Sequence, residues 1–190
     1  MKPVCLVLGA GAGIGGTVAT RFAQEGYHSS LCRRSDKEGL DRLVNNIKDQ
    51  GGSANGYIMN AIEDNAIEEV ITSIESDIGP IEVLVYNLGA QTGMKLLEQT
   101  SHKEFEWGWR MASFGLFRAA KILCPLMVER GKGTFLVTSA TAAMRGNRNQ
   151  HSHAAAMAAR RMLCQSLNAE FSPQGIHITH IVVDGAVDAP

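Results

Sequence analysis

Two rhythms of apolar and polar positions alternate along this chain. Short, nearly continuous apolar runs occupy 3–8, 27–32, 53–59, 82–86, 133–138 and 176–183, and each reads as a buried strand. Between them, stretches 13–25, 37–50, 63–77, 101–129 and 151–171 carry helical patterning. Strand–helix alternation predicts βαβ units, a parallel sheet covered on both faces and a three-layer α/β/α fold. Gly51-Gly52 and Gly79-Pro80 stand at expected helix ends. The last run contains His180-Ile181-Val182-Val183, which places apolar side chains on an exposed sheet edge.

Neither a long linker nor a repeat interrupts this order, so residues 1–190 read as one domain. A hydrophobic share of 45% against 19% charged residues suits a globular chain with a sizeable core. The formal net charge of −1 supplies no basic field for nucleic acid or an anionic membrane surface. The opening apolar run is too short for a signal peptide, and no stretch is expected to approach the ~20 residues of a membrane span. The four cysteines, Cys5, Cys32, Cys124 and Cys164, lie in apolar patterns without CxxC spacing. They read as buried reduced thiols and point to a cytoplasmic protein.

Candidate chemistry begins immediately after the first strand. In Gly9-Ala10-Gly11-Ala12-Gly13-Ile14-Gly15-Gly16, Gly11, Gly13 and Gly16 fit GxGxxG. A strand, a glycine turn and a helix start together form a phosphate-binding element. Glycine lets the backbone approach a pyrophosphate, and the helix N-terminus offers unpaired N–H groups and a partial positive charge.

Beyond this turn, the chain resembles the short-chain dehydrogenase/reductase family over essentially its whole length. Gly9-x-x-x-Gly13-x-Gly15 is similar to the family's cofactor turn, with Leu8 where a Thr is common. Tyr86-Asn87-Leu88-Gly89 resembles its Asn-Asn-Ala-Gly segment, and residues 133–140 its fifth strand. Residues 174–178 resemble the approach to the sixth strand, and Asp184-Gly185 stands where Pro-Gly is usual. The resemblance implies a Rossmann-type doubly wound parallel sheet that lacks the family's C-terminal strand and substrate loop.

The same resemblance implies an NAD(P)(H) site built from Gly9, Gly11, Gly13, Ile14, Gly15, Arg33, Asn60, Asn87 and Gly89. Arg33 stands where an acidic residue would bind the ribose 2′-OH of NAD, and a guanidinium there pairs with a 2′-phosphate. NADP(H) is therefore favoured, and NAD remains possible through Asp36. Asn60 stands where the family often places an Asp near adenine.

The family's proton chemistry is not spelled out in these residues. Its usual Asn, Ser, Tyr and Lys positions fall, without gaps, on Ala112, Ala140, His153 and Met157. His153 is the candidate replacement general acid, since free imidazole titrates near ~6.5, but a polar residue near a helix N-terminus with no proton to move is the favoured reading. Ser139 adjoins the Ser position but is expected on the opposite strand face. Arg160 shares a helix face with Met157, one turn farther from the expected cofactor. His151 and His153 do not share a helix face, and no metal site is expected.

Two readings follow for function. One is an oxidoreductase-like NADP(H)-binding protein with a degenerate, weak or inactive hydride-transfer site. The other is an active oxidoreductase of a small carbonyl or alcohol that uses His153. A third, a fold relic without cofactor, conflicts with the phosphate turn. The family's helix-packed assemblies and the small residues 153–159 imply a homodimer or homotetramer. Trp107 and Trp109 read as core or interface residues.

Overall fold

A computed structural model describes residues 2–89, 94–185 and 187. Its strands are β1 (Val4–Leu8), β2 (His28–Arg33), β3 (Ser53–Ile58), β4 (Ile81–Tyr86), β5 (Gly133–Ala140) and β6 (Ile176–Val183). The helices are α1 (Ile14–Gln24), α2 (Lys37–Asp49), α3 (Ala66–Asp77), α4 (His102–Trp109), α5 (Gly115–Arg130) and α6 (His151–Phe171). Among the described residues, the strands form one parallel sheet in the order β3-β2-β1-β4-β5-β6. The order reverses between β1 and β4, opening a crevice beyond the C-terminal ends of those strands.

Period-two alternation along β1 divides the core between two faces. Leu6 and Leu8 join residues of α3, α5 and α6, whereas Cys5 and Val7 pack with residues of α1 and α2. β1 is buried throughout, as expected for a central strand covered on both sides. All four cysteines are free and buried. Burial alone pushes the Cys32 thiol up to about 12.

Strand assignments from the sequence agree to within two residues at either end. α3 starts three residues later than expected because Asn65 adopts φ 62° at its N-cap. The expected 101–129 helix is divided by a π-helical turn at Arg110–Phe114. The Tyr86 hydroxyl reaches this turn and donates to Met111 O at 2.5 Å. A side chain at Gly115 would overlap that hydroxyl.

Together these segments make a 29-residue helical run, His102–Arg130, long and apolar enough to cross a membrane. That corrects the expectation that no stretch reaches such length. In this fold part of its apolar surface, including Leu116, Leu123 and Met127, enters the core. At the opposite edge of the sheet from β3, Ile181 and Val182 of β6 are 38% and 39% exposed, as their pattern predicted.

Candidate cofactor cleft

The turn after β1 is shaped by close backbone approaches. Gly9 has φ +93°, and a Cβ there would lie 2.7 Å from Asn87 O. A Cβ at Gly15 would overlap Gly9 O, so the first turn of α1 rests directly on the strand end. Gly11 faces open space instead, with nothing within 4 Å of an added Cβ. Gly13 caps α1, and Ile14 begins it without a side-chain cap. First-turn N–H groups of a helix have no intrahelical acceptors. The bare turn and the helix start thus fit a dinucleotide pyrophosphate.

Asn87 secures the crevice. Its Nδ2 donates to Gly9 O at 2.9 Å, and its Oδ1 accepts from Thr138 Oγ1 at 2.8 Å. The side chain therefore links the ends of β1 and β5 from just beyond β4. Thr138 went unnoticed in the sequence because its hydroxyl looks like ordinary strand polarity.

One side of the crevice is a small pocket whose lining includes Gly9, Cys32, Arg33, Arg34, Asn60 and Met111. Arg33 Nε donates to Ala10 O at 2.6 Å, while Nη1 donates to Asp36 Oδ2 at 2.6 Å. Asp36 Oδ1 accepts Gly39 N–H at 2.9 Å and caps α2. That backbone bond, followed by the Arg33 and Arg42 charges, holds the Asp36 carboxyl below its ordinary range. The two proposed ribose readers are thus paired with each other. Asp36 lies in the adjoining surface hollow rather than among the lining residues of the pocket. Asn60 borders the pocket and donates to Glu63 Oε1 at 3.0 Å.

The other side opens into a cleft of about 190 Å³ that brings together Ile14, Asn87, Gly89, Ser139, Ala140, His153, Met157 and Arg160. Ser139 is 8% exposed and its Oγ lies 3.6 Å from Met157 Sδ. This corrects the expectation that strand alternation turns Ser139 away, because Ser139 and Ala140 both line the cleft. Ala112 and Met157 are buried in one small apolar cluster with Ala156. Ala112 belongs to the π turn.

Arg160 reaches farther than its position one turn beyond Met157 suggested. Its guanidinium donates to Ala112 O at 2.8 Å, Thr138 O at 2.7 Å and Leu88 O at 2.5 Å. The sequence signal was an arginine on the core face of an alanine-rich helix. Burial, together with the charges of Arg160 and Arg161, lowers the pKa of His180 on neighbouring β6.

Away from the cleft, Trp107 and Trp109 are 40% and 44% exposed, which removes them from the core. Trp109 stacks on Phe114 at 5.2 Å, and Phe114 on Phe117 at 6.3 Å. Within residues 153–159, Ala156 and Met157 pack inside their own chain and Ala155 is exposed. No cluster of metal-ligating side chains occurs among the described residues.

Relatives carry the same architecture. The chain is 28% identical over 187 residues to the 3-oxoacyl-(acyl-carrier-protein) reductase FabG of Thermotoga maritima, covering 98% of this chain and 75% of that protein. It is 27% identical over 185 residues to the 2,3-dihydro-2,3-dihydroxybenzoate dehydrogenase of Bacillus subtilis, covering 97% and 70%. A short-chain dehydrogenase from Rhodopseudomonas palustris superposes with TM-score 0.90 at 29% identity, covering 95% of this chain and 84% of that one. A Sphingobium yanoikuyae short-chain dehydrogenase in complex with NADPH gives TM-score 0.87 at 28% identity, covering 96% and 71%. The family model for short chain dehydrogenase matches residues 3–190, so the chain belongs to that family.

Proposed function

We propose that this protein binds NADP(H) in the crevice at the β1/β4 switch point and has a degenerate hydride-transfer site, weak or inactive toward ordinary carbonyls and alcohols. Support for the cofactor comes from the bare Gly9–Gly15 turn, the Asn87 brace and the NADPH complex of the Sphingobium relative. Arg33 and Arg34 border the adenosine-side pocket and Asp36 does not, which favours a 2′-phosphate over a free ribose hydroxyl. NAD(H) is the weaker ligand in this reading.

The single observation that carries the catalytic half is the chemistry of the opposite cleft. A bound nicotinamide would supply or accept hydride there. Reduction of a carbonyl also needs a proton donor, a charge to support it and a hydroxyl to polarise the oxygen. At the corresponding positions stand Ala112, Ala140, His153 and Met157. Met157 is a neutral thioether that donates no proton, and neither alanine offers a donor beyond its backbone.

A second reading is favoured by one specific feature: Ser139 and His153 share this cleft. In that reading Ser139 polarises the carbonyl and His153 delivers the proton. Single-turnover oxidation of bound NADPH across a carbonyl panel separates the two. Turnover that disappears in His153→Ala supports the second reading, and its absence supports the first.

We also propose self-association into a homodimer or homotetramer, supported by exposed Phe105, Trp107, Trp109 and Phe117 along α4 and α5. Four buried free thiols suit a reducing cytoplasm.

A further inference from the structure

Arg160 is 1% exposed and carries a charge that no carboxylate among the described residues balances. Its three hydrogen bonds end on neutral carbonyls: Ala112 in the π turn, Thr138 near the end of β5 and Leu88 just beyond β4. The Tyr86 ring lies 5.2 Å from its Cζ. These partners satisfy the fork's geometry and leave its net charge in place. Burying such a group is costly without a counter-charge. The guanidinium nevertheless lies at the cleft that also holds Ser139, His153 and Met157.

We propose that the buried Arg160 guanidinium makes this cleft discriminate between nicotinamide redox states, favouring the neutral reduced ring over the cationic oxidised ring. The inference rests on the reading that this cleft receives the nicotinamide end of the cofactor. NADPH and NADP+ present the same phosphates and adenosine, so their affinity ratio isolates the nicotinamide ring, and the Arg160 variants isolate the part of it that is charge. Two like charges repel more strongly in a partly desolvated cleft than in water. Arg160 acts through this field and through the three carbonyls it pins, so it is a positioning residue rather than a proton donor.

Dissociation constants for NADPH and NADP+ should be measured by calorimetry on the wild type, Arg160→Met and Arg160→Lys, with a melting curve for each. The wild type is expected to bind NADPH at least about tenfold more tightly, equivalent to ~1.4 kcal/mol. Arg160→Met should remove most of that ratio, and Arg160→Lys, which keeps the charge, should preserve it. Should Arg160→Met not fold, Arg160→Gln, which keeps an amide donor for the carbonyls without the charge, supplies the same comparison. Equal affinities in the wild type, or a ratio unchanged in a folded Arg160→Met, would overturn the inference while leaving the cofactor reading intact. Binding of neither nucleotide would overturn both.

Discussion

The Ser139 hydroxyl lies 3.6 Å from the Met157 sulfur, so this strand-end hydroxyl of the cleft is paired with a thioether. A thioether is a weak acceptor and carries no charge. Replacing Met157 alone by Lys is expected to restore little, because acid–base groups that act as a unit are strongly non-additive. The combined variant Ala112→Asn, Ala140→Ser, His153→Tyr and Met157→Lys should raise single-turnover NADPH oxidation by ~10²-fold or more. Stopped-flow absorbance of both proteins checks this. A combined variant that folds, binds NADPH and stays as slow as the wild type would count against the site assignment.

Two glycines of the turn should respond in opposite ways. Gly11 faces open space, so Gly11→Ala should change stability by no more than ~0.5 kcal/mol. The added methyl nevertheless occupies the proposed pyrophosphate path and should abolish stabilisation by NADPH. At Gly15 the methyl would overlap backbone, and Gly15→Ala should cost about 2 kcal/mol or more before any nucleotide is added. Urea unfolding with and without NADPH measures both effects. Retained NADPH stabilisation in Gly11→Ala would argue against the phosphate position.

At the adenosine end, Arg33 exchanges a bond with Asp36 that a 2′-phosphate can replace. Arg33→Ala should weaken NADPH binding by roughly tenfold or more, the scale of one lost charge-assisted hydrogen bond. NADH affinity should change much less. Isothermal titration with both nucleotides tests the difference, and equal losses would show that Arg33 supports the turn through Ala10 rather than reading the phosphate.

Stability should fall on acidification through carboxylates held by cations. Lys95 and the Ser101 cap lower the Glu104 carboxyl from 4.5 to about 2. The Arg118 side chain likewise lowers that of Glu68. Both groups have depressed folded-state values, so their contributions are complete above the unfolded value and are lost as pH falls through the folded one. The unfolding midpoint should therefore decline between pH 4.5 and about 2, with a shallower slope in Glu104→Gln. An unchanged slope would show that these ion pairs do not govern acid sensitivity.

Much of this architecture was legible in the chain because its signals are local. The apolar runs located the strands, and Gly9 through Gly15 located the turn. Asn87, just beyond β4, and Arg33, the last residue of β2, were singled out by their places at strand ends. Other relationships depend on three-dimensional proximity that spacing does not encode. The π turn arises where Tyr86 reaches Met111, so the run around Ala112 read as unbroken helix. Pairing of Arg33 with Asp36 joins two residues that had been read as alternatives. Ser139 was expected to point away, yet it borders the cleft beside Ala140. Arg160 was discounted by its distance along the helix axis, but a long side chain carries its guanidinium back to Leu88 and Thr138.

The most direct test mixes NADPH with excess protein and a panel of small carbonyls, and follows nicotinamide fluorescence through a single turnover. A cleft that holds the cofactor beside a degenerate proton-transfer site should give an immediate binding signal, followed by oxidation little or no faster than that of free NADPH. Rapid oxidation that vanishes in His153→Ala, or no binding signal at all, would contradict that account.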